Sequence, residues 1–188
     1  MSLHNDALAA LEAWPAPDAR QERLRHRIVD HLRAHPDGVY RECLPDHLTA
    51  GLLVLSPDLD RVLLNLHGKA GRWFAFGGHC EPEDTTLAGA ALREGREESG
   101  LGELRLDPVP VHVDVHEVPF CAPGHRVHHL DVRFTALAAA DDAHQASAES
   151  LDVRWWPLDA LPEELESDMR ELIGLARDRW AAAPTDPA

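Results

Sequence analysis

The chain has 188 residues, 44% of them hydrophobic and 27% charged, which suits one globular domain with a substantial core plus a short extension. Its formal net charge of −15 argues against a nucleic-acid backbone or an anionic lipid as the main partner, because both would be repelled. A compact phosphorylated metabolite remains compatible with this charge if a bound cation supplies positive charge.

The three cysteines, Cys43, Cys80 and Cys121, are odd in number and far apart, which is typical of a reducing compartment. No CxxC pair is present, so the spacing does not indicate a cysteine-based zinc site. The first residues lack the basic start and apolar run of a secretory signal, and no apolar stretch is as long as a membrane span. We therefore expect a cytoplasmic protein without a membrane partner.

Two helices are predicted near the N-terminus. The first covers Asp6–Trp14 and is followed by two prolines. Asp18 suits the N-cap of the second helix, and Gln21, three residues later, would complete a capping box. We interpret residues 1–45 as a helical extension that packs on the main domain or on another subunit. A homodimer formed through these helices is a further hypothesis.

From Leu48 onward the pattern changes to strands, and one helix interrupts them. Strands are predicted at 50–55, 62–66, 73–76, 109–115, 130–134 and 153–156. The interrupting helix covers about 86–99 and ends at Gly100, and a last helix has apolar residues at helical spacing from Met169 to Trp180. This order predicts a layered α/β domain over residues 46–183, followed by a loose tail at 184–188.

The interrupting helix carries three glutamates on one face. At about 100° per residue, Glu97 lies about 60° to one side of Glu94 and Glu98 about 40° to the other. The apolar residues of the first turns project to the same side, so these acids should lie at the edge of the core. Such carboxylates need a cation or donors, and a hard divalent ion such as Mg²⁺ is the simplest candidate. The alternative is ordinary ion pairing with Arg93 and Arg96.

The segment from Gly78 to Leu101 resembles the Nudix box. It ends in Arg-Glu-Gly-Arg-Glu-Glu-Ser-Gly-Leu, and the family pattern is G-x5-E-x7-R-E-U-x-E-E-x-G-U. Residues flanking the segment also resemble the family, so that the resemblance extends over roughly residues 48–165.

The sequence departs from the family pattern at three places. The segment is one residue longer than the pattern, so Asp84, and not a glutamate, keeps the spacing from Gly78. Gly95 stands at the usual aliphatic or small position, at a cost of roughly 1 kcal/mol in helix propensity relative to Ala. Phe76 stands where many members have Pro before the paired glycines. These departures affect the loop geometry and the role of Asp84, but not the three glutamates.

The resemblance implies an α/β (α+β) fold, a Nudix-like α/β/α sandwich with a mixed sheet. It also implies metal-assisted attack of water on a diphosphate. The implied ligands of Mg²⁺, or alternatively Mn²⁺, are the carbonyl of Gly77 and the carboxylates of Glu94, Glu97 and Glu98. The implied catalytic residues are Glu97, Glu98 and Arg93. Arg93 would orient one of the glutamates. Glu149, in the loop before the last strand, is the candidate for a further ligand or general base, and a solvated loop acid is the alternative.

The expected activity is pyrophosphohydrolysis of a small-molecule nucleoside diphosphate derivative. Nucleoside triphosphates, nucleotide sugars and ADP-ribose are all candidate substrates. A Nudix-fold sensor that binds such a metabolite without turnover is an alternative of another class. The isopentenyl-diphosphate isomerases of the same fold are a further alternative, although they usually have a degraded box.

Histidines cluster on the two long predicted strands and near them. We expect several polar side chains of this region to line the substrate cleft on an open sheet face, namely His112, His116, Arg126, His129 and Arg133. Zinc ligation by neutral imidazoles is the alternative interpretation of the cluster. Cys80, beside His79, is interpreted as an unreactive thiol.

Overall fold

A computed structural model describes residues 1–118, 121, 124, 126–139 and 150–183. The helices are α1 (Leu3–Ala13), α2 (Ala19–Ala34), α3 (Leu87–Ser99) and α4 (Ser167–Ala182). The strands are β1 (Asp46–Leu55), β2 (Arg61–His67), β3 (Trp73–Phe74), β4 (Phe76–His79), β5 (Leu104–Glu117), β6 (His128–Ala138) and β7 (Ser150–Pro157). Among the residues described, none of the helices is both long and apolar enough to span a bilayer.

The seven strands of the described residues form one mixed sheet. Its main order is β3-β2-β1-β6-β5, in which β1 and β6 are parallel and the other neighbours antiparallel. On the far side of β1 from β6, β4 pairs with 49–52 and β2 pairs with 54–55, while β7 pairs with β2. The predicted strand at 73–76 is therefore two strands with different partners. The mixed sheet itself is confirmed.

Side chains of β1 point alternately to the two faces of the sheet, and an apolar cluster lies on each face. Leu48, Leu52 and Val54 face a cluster that contains α1, α2 and the apolar side of α3. Leu53 and Leu55 face a second cluster that contains α4. Helices thus cover both faces of the sheet, and the predicted α/β/α sandwich is confirmed.

The N-terminal helices pack on this sandwich. The carboxylate of Asp6 in α1 accepts a hydrogen bond from the Leu87 N–H at 2.8 Å, which satisfies a free amide in the first turn of α3. Asp18 caps α2, as predicted, by accepting from the N–H groups of Arg20 and Gln21.

Gln21 does not complete the predicted capping box. Its side chain instead donates to the Val113 carbonyl at 3.0 Å and accepts from the Val113 N–H at 2.7 Å. Val113 lies on β5, at one edge of the sheet, where these backbone groups have no strand partner. Gln21 is fully buried, so α2 closes this edge of the sheet.

Candidate active site

The paired glycines of β4 allow α3 to approach the sheet edge. A Cβ on Gly77, whose φ is 156°, would lie 2.8 Å from the Ala50 carbonyl oxygen. A Cβ on Gly78 would lie 2.7 Å from a carboxylate oxygen of Glu94. The Gly77 N–H donates to Glu98 Oε2 at 3.0 Å. Two of the three predicted metal ligands on α3 therefore contact the Gly77-Gly78 backbone directly.

Local signals place α3 where the sequence predicts it. Thr86 is the N-cap and accepts from the Gly89 N–H at 3.0 Å, and Gly100 ends the helix in the left-handed conformation with φ 70°. Gly95 faces the sheet, and a Cβ there would lie 3.3 Å from Cβ and Cγ of Leu52 and much closer to its Cδ2. The glycine that departs from the family pattern thus permits close packing of α3 on β1.

Arg93 joins the acidic groups of the site. Its Nη1 donates to Glu94 at 2.8 Å and to Glu97 at 3.3 Å, which brings these two predicted ligands together. Its Nε and Nη2 donate to the two carboxylate oxygens of Asp84 at 3.2 and 3.0 Å, and Nη2 also donates to the His79 carbonyl at 3.0 Å. These bonds fix the guanidinium from two sides.

Asp84 accepts two hydrogen bonds from Arg93. Its side chain is only 8% exposed, and it also accepts from the Glu81 N–H at 2.8 Å. Its hydrogen bonds are the main reason that the pKa of Arg93 is raised above its usual value. The spacing from Gly78 was the sequence signal for this residue, but the sequence did not show that its partner is Arg93.

The donor set at this site fits a hard divalent cation such as Mg²⁺. Glu94, Glu97 and Glu98 would hold the ion, because they supply carboxylate oxygens beside the β4 glycines. Burial raises the pKa of the Glu94 carboxyl, although Arg93 opposes this shift. One guanidinium contacts four carboxylates here, those of Glu81, Asp84, Glu94 and Glu97, and cannot neutralise all of them. A cation would supply the missing charge.

The predicted substrate-binding side chains of β5 and β6 lie on the sheet face away from α3. His112 is opposite Arg133 in the register, and His116 is opposite His129. Because residues alternate along β4, Gly78 faces α3 whereas His79 points to this other face, opposite Thr49 of β1.

The burial of His112 and Arg133 does not agree with an open cleft at these positions. His112 is fully buried, and burial lowers the pKa of its imidazole to about 4. The Arg133 side chain is 6% exposed and donates to Asp131 at 2.7 Å and to Asp168 at 2.9 Å. Both side chains lie beside α4, where Glu171 is 3.8 Å from His112 and Asp168 accepts from Arg133. Asp131 and Asp168 thus already occupy donors of the Arg133 guanidinium.

The other predicted substrate-binding residues are placed differently. His116 is 44% exposed and donates to Asp114 at 3.0 Å. Burial raises the pKa of Asp114, but the His116 hydrogen bond and the charge of Arg133 outweigh it and bring the pKa to about 2. Arg126 is exposed and pairs with Glu117 at 2.6 Å.

Cys80 and Glu149 were also singled out in the sequence. Burial raises the pKa of Cys80 to about 12, in agreement with an unreactive thiol. Glu149 lies outside the described residues.

The sequence and the structure of the chain are similar to those of known proteins. A family model described as the NUDIX domain matches residues 45–175. No curated protein matches the chain. A NUDIX-family hydrolase from Clostridium perfringens is similar in structure, with a TM-score of 0.53 and 21% sequence identity, over 73% of this chain and 98% of that chain.

Two other solved structures are similar to a comparable degree. An Ap4A hydrolase from C. elegans in a binary complex has a TM-score of 0.56 and 22% identity, over 72% of this chain and 98% of that chain. The NUDIX domain of Shewanella oneidensis NrtR in complex with ADP ribose has a TM-score of 0.52 and 23% identity, over 73% of this chain and 90% of that chain. At such identities the likeness shows a shared fold.

Proposed function

This chain belongs to the NUDIX family, and we propose that it hydrolyses a diphosphate linkage in a nucleoside diphosphate derivative with the help of Mg²⁺. Hydrolysis of such derivatives is the general activity of this family. The observation that carries the proposal is the arrangement around Arg93, which holds Glu94 and Glu97 together beside the Gly77-Gly78 backbone that Glu98 contacts.

The residues of the site have different proposed roles. Glu94 and Glu98 are held against β4, so they supply a fixed part of the cation site, and the Gly77 carbonyl is proposed to complete it. When bound, Mg²⁺ neutralises charge on the diphosphate and lowers the pKa of a bound water.

The chain's own acids would then receive the proton of the attacking water. Glu97 is 59% exposed and held by only one of the Arg93 nitrogens, so its carboxylate can reach solvent water beside the site. Glu98 and, from the sequence, Glu149 are the other candidates for this role. Arg93 is a positioning residue, because its donors orient Glu94 and Glu97 and are themselves fixed by Asp84.

Two observations support the choice of substrates to test, namely the charge of the chain and the ligands named for two structural relatives. The NrtR domain binds ADP ribose and the C. elegans relative is an Ap4A hydrolase, and both ligands contain an adenosine phosphate linked through a phosphoanhydride. A bound cation would offset the repulsion between such an anion and a chain with a net charge of −15, which agrees with a metal-dependent reaction. ADP-ribose, nucleotide sugars, nucleoside triphosphates and dinucleoside polyphosphates are therefore the compounds to test first.

A hydrolysis screen over these compounds, with and without Mg²⁺, tests the proposal. Glu97→Gln and Glu98→Gln should each lower kcat at least about 100-fold, because a metal site supplies several kcal/mol of transition-state stabilisation. Glu164→Gln, which removes the same charge from an exposed position in the segment before α4, is the matched control and should keep its activity.

Binding of Mg²⁺ is measured separately from turnover. Mg²⁺ should raise the Tm of the unaltered protein and should not raise that of Glu94→Gln. Unchanged turnover in both Glu97→Gln and Glu98→Gln would refute the catalytic assignment. Calorimetric binding of a nucleotide without turnover would instead support the sensor alternative.

A further inference from the structure

Three histidines and one cysteine converge on one point outside the carboxylate site. They are His47 at the start of β1, His79 at the end of β4, His129 at the start of β6, and Cys121 between β5 and β6. Each offers one ligand atom, and these four atoms all lie within 4.8 Å of one another. His47 is fully buried and Cys121 is 9% exposed, whereas the two other histidines are half-buried.

Four of the six distances between these atoms are close to those of a tetrahedron around one metal ion. Cys121 Sγ lies 3.6 Å from Nε2 of His47, 3.6 Å from Nε2 of His79 and 3.4 Å from Nε2 of His129, and the Nε2 atoms of His47 and His79 are 3.2 Å apart. Zinc bonds of about 2.0–2.1 Å to nitrogen and about 2.3 Å to sulfur give tetrahedral edges of about 3.3 Å between nitrogens and about 3.5 Å between nitrogen and sulfur. The observed edges agree with both values.

We propose that His47, His79, His129 and Cys121 form a tetrahedral zinc site. Imidazole nitrogen and thiolate sulfur are the donors that zinc prefers, whereas Mg²⁺ takes oxygen ligands. The site is therefore chemically distinct from the carboxylate site on α3. Four protein ligands leave no open position, so the zinc is structural.

The orientation of His47 supports a metal over a network of hydrogen bonds. Its Nδ1 lies 3.1 Å from the Cys43 carbonyl oxygen, which can only accept, so Nδ1 carries the proton. A neutral His47 then presents the Nε2 lone pair to the cluster, and a backbone carbonyl on the other nitrogen is the usual outer partner of a metal-bound histidine.

The sulfur atom lies at the centre of these contacts. Cys121 Sγ is within 3.6 Å of all three Nε2 atoms, so the sulfur and the three nitrogens can direct their lone pairs to one common point. A cation at the centre satisfies all four atoms at once.

The zinc site would fix the strand that supports the active site. His79 directly follows Gly77 and Gly78, and its carbonyl accepts from Arg93 at 3.0 Å. Zinc ligation of the His79 ring would thus hold the end of β4 against β1 and β6, and with it the backbone that Glu94 and Glu98 contact. The inference does not depend on the proposed hydrolysis, because metal content is measured without a substrate.

The test is the zinc content of the full chain, purified without a histidine tag and dialysed, by inductively coupled plasma mass spectrometry. We expect about one zinc per chain in the unaltered protein and near zero in Cys121→Ala and His129→Ala. Cys80→Ala, which removes another buried thiol, is the matched control and should keep its zinc. Glu97→Gln should also keep it, which separates this site from the carboxylate site.

Two further measurements keep the test decisive if a variant folds poorly. The unaltered protein is stripped with a chelator and titrated with Zn²⁺ against a chromogenic competitor, and uptake should saturate at about one ion per chain. With Co²⁺ it should show the strong visible absorption of tetrahedral cobalt and a thiolate charge-transfer band. An unaltered protein that neither contains zinc nor takes it up, or a folded Cys121→Ala with unchanged zinc content, would overturn the proposal.

Discussion

Replacing Gly95 by alanine should have two opposing effects on the free energy of unfolding, one from helix propensity and one from packing. In an exposed helix interior this change stabilises by about 1 kcal/mol, because alanine is the better helix former. In α3 the new Cβ would lie 3.3 Å from Cβ and Cγ of Leu52 and well inside contact distance of its Cδ2. Leu52 is fully buried in β1, so it cannot move away into solvent. Overpacking of this kind costs about 1–3 kcal/mol.

The deep overlap with Leu52 Cδ2 places the packing cost in the upper part of that range. Gly95→Ala should therefore lower the free energy of unfolding by about 1–2 kcal/mol, measured by urea denaturation. Gly174→Ala is the matched control, because Gly174 is in the middle of α4 and a Cβ there meets nothing within 4 Å. It should raise the free energy of unfolding by about 0.5–1 kcal/mol.

A functional effect should accompany the loss of stability. To accommodate the methyl group, α3 must move away from β1, and this displaces Glu94 and Glu98 from the β4 glycines. A misplacement of about 1 Å in a catalytic group can lower kcat about 100-fold. If Gly95→Ala stabilises the protein as much as Gly174→Ala does and keeps full activity, the close approach of α3 to β1 does not require glycine and the reasoning fails.

Three other predictions concern single side chains. Arg93→Lys should lower kcat about 10–100-fold with little change in KM, because an ammonium lacks the planar fork of donors with which Arg93 bridges Asp84, Glu94 and Glu97. Arg96→Lys, at an exposed position, should have little effect in the same assay. The pKa of Asp114 is lowered to about 2 in the folded protein, whereas in the unfolded chain it is near 4. The ionised carboxylate therefore stabilises the fold fully above about pH 4, and this contribution is lost as the pH falls through 2. Asp114→Asn should thus cost about 2 kcal/mol at pH 7 and little at pH 2, and an equal loss at both values in denaturant titrations would contradict this. Gln21→Ala leaves two backbone groups of the β5 edge unpaired and should cost about 1–3 kcal/mol, and a thermal unfolding curve identical to that of the unaltered protein would rule out this role.

The sequence alone determined the elements whose signals are local. Gly100 and the spacing of the three glutamates belong to one helix, so periodicity and the C-terminal glycine sufficed to predict α3 and its acidic face. The N-cap at Thr86 was seen only in the structure. The same holds for Asp18 at the start of α2. Alternation along the strands predicted that His112, His116 and their partners share a sheet face, and the register confirms it.

Only the tertiary structure shows which residues pack against these helix and sheet faces. Gln21 has a partner 92 residues away, and Asp84 and Arg93 meet because the loop before α3 folds back on the helix. The burial of His112 and Arg133 depends on α4, which follows much later in the chain.

The histidine and cysteine cluster shows the physical reason most clearly. Its members come together through the parallel pairing of β1 with β6, which places His47 beside His129, and the antiparallel pairing of β1 with β4, which places His79 opposite Thr49. A shift of one residue in either register would turn an imidazole to the other face of the sheet. Strand register is set by packing over the whole sheet and not by the spacing of residues along the chain, so the sequence supplied the ligands while the fold alone brought them together.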